Sequence, residues 1–229
     1  MERAGFGLIE TMRVRDGRIP FLERHLARLT RSLAALGLPP PPAHPSRDVA
    51  ALVTPFAECG EAVLRVVVET GRASVTVREL PRLEPPRVIT VAEVHQPYPH
   101  KTTDRAGFVR AIEAAVVAGA DDALLLNGDG WVAEGAAWSV FWWEGDELCT
   151  PALELGILPG IGRARVLEIA PQAGKRAREG SYARLALAGK SLFLTNAVRG
   201  VVPIAALDGE PVPPHPGTHD LAACFWPAS

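Results

Sequence analysis

The sequence predicts an α+β fold in two parts, with mostly antiparallel sheets and flanking helices. Three observations lead there. The strand-like segments are short, and most are joined by turns of a few residues containing glycine, which suit antiparallel neighbours. Only a few segments carry a helical stripe of apolar residues. A proline-containing break, Gln96-Pro97-Tyr98-Pro99-His100, interrupts the pattern near the middle of the chain. It divides a small N-terminal α+β domain, 1–95, from a larger domain, 101–229, with 96–100 as the linker.

In the first part, Gly7-Leu8-Ile9-Glu10-Thr11-Met12-Arg13-Val14 reads as a strand, and Asp16-Gly17 as a hairpin turn. Residues 21–36 set Leu22, Leu26, Leu29, Leu33 and Leu36 on one helical stripe. Gly37 ends that helix, and the prolines from Pro39 to Pro42 prevent its resumption. Ser46 is placed to cap a second helix reaching Phe56. Residues 61–69 and 73–80 read as a hairpin around Gly71-Arg72, and 87–94 as a further strand.

The second part opens with a helix over 104–118, with Phe108, Ile112, Ala115 and Val116 on one face. Residues 122–127 and 131–133 form a hairpin through Gly128-Asp129-Gly130. Another, 138–143 with 147–150, turns at Gly145-Asp146. The loop Gly156-Ile157-Leu158-Pro159-Gly160 leads into a helix over 161–170. Short strands at 191–195 and 201–205 flank a polar turn, and the tail from Asp208 offers no clear pattern.

Composition removes several classes of function. The chain has 229 residues, 48% hydrophobic and 22% charged, an ordinary globular balance rather than a disordered one. Its net charge of -2 gives no basic field for a nucleic-acid backbone. No apolar run approaches the ~20 residues that span a bilayer, and the start lacks the apolar core of a signal peptide. Cys59, Cys149 and Cys224 are scattered, with no CxxC pair, and the six histidines are not spaced like metal ligands. No metal site and no disulfide framework are expected, and a cytoplasmic location follows.

Four features can carry chemistry. Only Lys101, Lys175 and Lys190 are lysines; the other 21 basic residues are arginines. A lysine here is therefore a candidate for amine chemistry, which arginine cannot supply. Lys101, at the entrance to a helix, is either a Schiff-base lysine or a solvated linker residue. Glu134, among small and apolar residues, either meets a cation such as a protonated heteroaromatic nitrogen or sits in a solvated turn. Leu158-Pro159-Gly160-Ile161-Gly162-Arg163 either brings backbone N–H groups to an anion at a helix start or is a tight loop. Thr195-Asn196-Ala197-Val198-Arg199-Gly200 is either a second anion-binding turn or an ordinary polar one.

In order and spacing, these features resemble the fold-type IV pyridoxal-phosphate enzymes, the class IV aminotransferase family. The resemblance spans roughly 5–207 and rests on quotable blocks. They are Ile9-Glu10-Thr11-Met12-Arg13-Val14 with Asp16-Gly17, then Glu23-Arg24-His25-Leu26-Ala27-Arg28-Leu29, similar to the family's HxxRL helix. Lys101, Glu134-Gly135, Leu158-Pro159-Gly160-Ile161 and Thr195-Asn196 with Val202-Pro203-Ile204 follow in sequence. The implied fold is the two-domain fold of D-amino acid aminotransferase-like enzymes, and the implied cofactor is pyridoxal 5'-phosphate.

The resemblance implies that Lys101 binds the cofactor as a Schiff base and then moves protons as base and acid. Glu134 would pair with the pyridine nitrogen. Arg28 would grip the phosphate bidentately, Ile161 and Gly162 would offer backbone N–H groups, and Thr195, Asn196 and Ala197 would complete the phosphate cup. The family often has Thr where Gly162 stands, so a hydroxyl contact is missing there. Arg105 and Arg199 are candidate substrate-binding residues.

Within the family, Thr11 falls where 4-amino-4-deoxychorismate lyases carry a threonine near the cofactor and branched-chain transaminases carry glycine. The Lys101 to Arg105 spacing and Asn196 are also lyase-like, and Ala106 replaces a tyrosine common in transaminases. Glu10 and the LPGI loop are common among transaminases. The resemblance therefore implies a lyase yielding 4-aminobenzoate and pyruvate for folate precursor synthesis, with Lys101 and Thr11 as catalytic residues. The alternatives are a transaminase of D-amino acids or branched-chain L-amino acids and a non-catalytic pyridoxal-phosphate-binding protein. A homodimer acting on a small molecule is the implied assembly.

Overall fold

A computed structural model describes residues 6–41 and 61–227. The helix expected from Ser46 to Phe56 and Cys59 lie outside the described residues. The chain separates into two units. One takes the chain up to Arg82 together with His100–Asp104; the other takes Leu83–Pro99 and everything from Arg105. The sequence-based boundary at 96–100 divides the chain differently. Residues 87–94 pair with strands of the second unit, and 101–103 pair with a strand of the first.

The first unit is a three-stranded antiparallel sheet under one helix. Its strands are β1 (Gly7–Arg15), β2 (Glu61–Glu69) and β3 (Arg72–Glu79), in the order β1-β2-β3. Asp16 and Gly17 both adopt positive φ, and Arg15 and Arg18 exchange backbone hydrogen bonds across them. That is the tight turn expected, but it feeds the helix α1 (Leu22–Leu36) rather than a partner strand. Thr70 and Gly71 make the matching turn between β2 and β3, one residue earlier than expected.

Period-two alternation points Leu8, Met12 and Val14 of β1 at α1. They pack with Leu29, Leu33, Leu64, Val66 and Val68, and each such side chain buried contributes roughly 1.5–3 kcal/mol. Gly37 ends α1 with φ 64 as expected: its N–H reaches Ala34 and that of Leu38 reaches Leu33, a Schellman closure.

The second unit holds two five-stranded sheets. The first runs through β4 (Arg87–Val94), β5 (Asp122–Leu126), β6 (Val132–Gly135), β12 (Ala206–Leu207) and β13 (Glu210–Pro211), in the order β13-β12-β4-β5-β6. The second contains β7 (Ser139–Glu144), β8 (Glu147–Pro151), β9 (Arg176–Gly180), β10 (Leu192–Asn196) and β11 (Gly200–Pro203), in the order β11-β10-β7-β8-β9. The expected hairpins are present as β5–β6, β7–β8 and β10–β11.

Three pairs are parallel, which the short-turn reading did not anticipate: β4–β5, β4–β12 and β8–β9. Helix α2 (Ala106–Val117) supplies the crossover from β4 to β5, and α3 (Ile161–Ile169) the one from β8 to β9. Val88, Leu124, Val140, Trp142, Leu192 and Leu194 form the core shared by the two sheets. Phe108, Ala111 and Ala115 seat α2 on Val91, Ala123 and Leu125. The tail also has structure: α4 (Pro216–Cys224) is held where Trp143 donates its indole N–H to Thr218 Oγ1 (2.8 Å).

Candidate active site

In the first unit, Lys101 is fixed by its backbone. Residues 101–103 run antiparallel to β1: Ile9 N–H donates to the Lys101 carbonyl (2.7 Å), and Thr103 N–H to that of Gly7 (2.9 Å). The Lys101 main chain is thus part of the sheet while its side chain remains half-buried. Upstream, His100 Nδ1 meets Ser32 Oγ of α1 at 3.1 Å.

Beneath this segment lies a charged cluster. Glu10 interrupts the apolar alternation of β1 on the face turned to α1. Arg28 donates Nε–H to Glu10 Oε1 (2.8 Å) and Nη2–H to Oε2 (2.6 Å), and His25 Nδ1 lies 2.6 Å from Oε2. Glu10 is 2% exposed, so its charge must be met inside the protein. Burial pushes its carboxyl up, but the hydrogen bonds and charges of Arg28 and His25 outweigh that and hold its pKa below the ordinary range. For His25 burial dominates: the pKa is lowered despite the carboxylate beside it, and the charges of Arg28 and Lys101 push the same way.

Both shifts make the fold acid-sensitive. A lowered folded-state pKa contributes stability above the unfolded value and loses it as pH falls. The melting temperature should therefore begin to fall as pH drops below 6.5 through His25 and fall further below 4.5 through Glu10. His25→Asn, whose amide can replace Nδ1–H, should flatten the first limb in thermal melts across pH. An unchanged first limb would remove His25 from this account.

Arg28 turns its Nε edge to Glu10 across the β1–α1 contact, a buried partner that the helix motif did not reveal. Thr11 is half-buried on the opposite β1 face from Glu10, and its hydroxyl makes no hydrogen bond among the described residues.

In the second unit, Glu134 sits on β6 and is 4% exposed. Its Oε1 accepts from His95 Nε2 (2.8 Å) and from Leu158 N–H (3.2 Å), while Oε2 makes no hydrogen bond among the described residues. The solvated-turn alternative is excluded for this carboxylate. The Leu158 contact ties it to the loop that opens α3.

That helix start is built for close approach. Gly160 precedes it in an extended conformation with no side-chain cap, and a Cβ there would lie 2.8 Å from Ser139 Oγ. A Cβ at Gly162 would lie 2.7 Å from the Cα and carbonyl carbon of Asn196. The Asn196 backbone thus occupies the space a threonine would need. Gly162→Thr should destabilise the protein by about 1–3 kcal/mol, the usual cost of overpacking, and weaken cofactor binding. Melting curves and a cofactor titration test this; an unshifted melt would show that the two segments can part.

Asn196 shapes the facing turn. Its Oδ1 accepts from Val198 N–H (2.9 Å) and Arg199 N–H (2.8 Å), and its Nδ2 donates to the Ala137 carbonyl (3.3 Å). Thr195 pairs with Ser139 across β10 and β7, and its buried Oγ1 has no partner among the described residues. Ile161, Gly162, Thr195, Asn196 and Ala197 are therefore gathered at one place in the fold. Arg105 is otherwise engaged: it donates Nη2–H to the Ala136 carbonyl (2.7 Å), and its guanidinium lies 4.9 Å from the Phe108 ring centroid. Arg199 is half-buried in the turn that Asn196 closes.

One unit thus carries a half-buried lysine, and the other a buried carboxylate and an uncapped helix start beside a polar turn. The chain belongs to the amino-transferase class IV family, whose model matches residues 7–207. Over 88 residues it is 34% identical to an aminodeoxychorismate lyase of Bacillus subtilis, a match covering 38% of this chain and 30% of that protein. It is 27% identical to a bifunctional aminodeoxychorismate lyase / D-amino acid transaminase of Mycobacterium tuberculosis, over 93% of this chain and 85% of the relative. A hypothetical aminotransferase from Mycobacterium tuberculosis in a pyridoxal-phosphate-bound form superposes with a TM-score of 0.87 at 25% identity, covering 97% of this chain and 88% of that one.

The residues fit that cofactor. The uncapped start of α3 and the unpartnered Thr195 hydroxyl suit a phosphate, and Glu134 Oε2 suits a pyridinium N–H. Sequence reasoning missed Glu10 as the partner of Arg28 and missed His95 entirely. A charged residue on the core face of an alternating strand was the available signal for Glu10. His95 carried none.

Proposed function

We propose that the chain is a pyridoxal-phosphate-dependent lyase that converts 4-amino-4-deoxychorismate to 4-aminobenzoate and pyruvate, acting as a cytoplasmic homodimer in folate precursor synthesis. Thr11 carries the choice of branch. Its half-buried hydroxyl, without a hydrogen bond among the described residues, is available to handle a proton or hold a polar substrate atom. The lyase named among the relatives supports the same reading.

The bound cofactor supplies an aldehyde for amine capture and an electron sink for the carbanion left by proton removal. Lys101 would hold it, and its amine, once released, would take the ring proton at the substrate's amine-bearing carbon. With that proton gone, the bond between the adjacent ring carbon and the enolpyruvyl oxygen would break, the ring would become aromatic, and the departing enolate would take a proton from the Lys101 ammonium to give pyruvate. Glu134 keeps the pyridine nitrogen protonated through Oε2. Ile161, Gly162, Thr195, Asn196 and Ala197 would bind the phosphate, and the Arg28 guanidinium is proposed as its cation.

The test is 4-aminobenzoate release from 4-amino-4-deoxychorismate by the loaded enzyme. Rapid product supports the lyase. No product from untreated loaded enzyme, when borohydride traps the cofactor on Lys101 in a separate sample, overturns it. The second reading is a transaminase, favoured by the D-amino acid transaminase activity named for the bifunctional relative. Amino transfer from D-amino acids or branched-chain L-amino acids to 2-oxoglutarate, without lyase activity, would establish it instead.

A further inference from the structure

We infer that His95 is a positioning residue for the cofactor's ring nitrogen, acting through Glu134. This deepens the proposed function and rests on Glu134 meeting that nitrogen.

His95 follows the end of β4 and is 3% exposed. Its backbone N–H donates to the Leu126 carbonyl (2.8 Å), which ties it to the end of β5. Its ring meets Phe108 edge-on, with centroids 5.9 Å apart and planes at 68°, so the ring orientation is fixed by packing. In that orientation Nε2 reaches Glu134 Oε1 at 2.8 Å, and buried Nδ1 has no partner among the described residues. Among the described residues, the imidazole's one hydrogen-bond partner is therefore the carboxylate. A ring whose other nitrogen goes unsatisfied is a costly way to fill a core position that phenylalanine could fill.

The consequence lies at the other oxygen. His95 and the Leu158 N–H both load Oε1, which fixes the carboxylate plane and directs hydrogen-bonding capacity to Oε2. A carboxylate held on one oxygen loses little orientational freedom when a pyridinium N–H binds the other. The same contact orients ligands at metal centres, where a second group holds the first in place. Here the ligand is a ring nitrogen instead of a metal.

The experiment measures cofactor affinity of the purified enzyme for pyridoxal phosphate and for its 1-deaza analogue, which lacks the ring nitrogen. His95→Phe keeps the ring packing against Phe108 and removes the donor; His95→Gln keeps a donor at the Nε2 position. Pyridoxal phosphate should bind His95→Phe roughly ten- to a hundredfold more weakly, the scale of a hydrogen bond to a charged group. His95→Gln should restore most of that loss. The 1-deaza analogue should bind wild type and His95→Phe alike. Equal losses for both cofactors would reduce His95 to a packing residue and overturn the inference. If wild type itself did not discriminate between the cofactors, the pairing of Glu134 with the ring nitrogen would fail first. Should His95→Phe not fold, the wild-type Nε2 proton resonance gives the second readout. It should shift when pyridoxal phosphate binds and stay fixed when the 1-deaza analogue binds; no difference between the two overturns the inference.

Discussion

Lys101→Ala should lower turnover by at least about a thousandfold, because it removes both the amine that holds the cofactor and the group that moves the proton. The fold should survive. What the sheet uses from this residue is its carbonyl, which accepts from Ile9 N–H, and alanine retains it. The expected result is thus a protein with wild-type melting behaviour in the apo state, no borohydride-trapped cofactor, and residual activity near background. Circular dichroism, mass spectrometry after reduction and a product assay read the three outcomes. Full turnover in this variant would falsify the mechanism and not merely the choice of substrate. Partial recovery by an added primary amine would support the amine role directly.

Glu10→Ala should have the largest effect on stability. It leaves the buried Arg28 guanidinium without its carboxylate and His25 without its Nδ1 partner. Breaking one side of a buried ion pair typically costs 3–5 kcal/mol, since the remaining charge stays desolvated. Removing both partners should be milder, so Glu10→Leu combined with Arg28→Met should be more stable than Glu10→Ala alone. Chemical denaturation of the apo protein measures this. A loss below about 1 kcal/mol for Glu10→Ala would mean that water reaches Arg28 and that the cluster is no buried pair.

The elements that were legible in the sequence are those whose own residues carry the signal. The β1 strand shows its alternation, α1 its leucine stripe and glycine stop, and β10–β11 a short turn between apolar runs. The parallel strand β9 was not legible. Its residues, Arg176-Ala177-Arg178-Glu179-Gly180, are mostly exposed and lack an apolar alternation. Backbone pairing to β8 makes it a strand, and that information lies in β8. The parallel β4–β5 pair was hidden for a related reason: a helix between two strands permits a crossover but does not announce one.

The site follows the same division. Glu134 and the α3 loop stood out because a carboxylate or a glycine cluster is unusual in its local setting. The collision awaiting a side chain at Gly162 depends on Asn196, 34 residues away, and could be seen only in three dimensions. Arg28 was picked out through its helix motif, yet its partner is set by the register of β1 against α1. His95 shows the limit: nothing local marks a histidine after a strand, and its meaning comes from a carboxylate 39 residues further on.

The short segment carrying Lys101 also serves as a shield. Without it, the outer side of β1 would present a row of unpaired N–H and C=O groups, the kind of bare margin onto which stray chains add. Residues 101–103 occupy that margin at Gly7 and Ile9, so the lysine the chemistry needs sits on a piece of chain that also guards against misassembly. Selection against aggregation and selection for reactivity then act on the same stretch of backbone. A fragment ending at Arg82 would keep the three strands and lose the guard. It should form larger aggregates than the whole chain does.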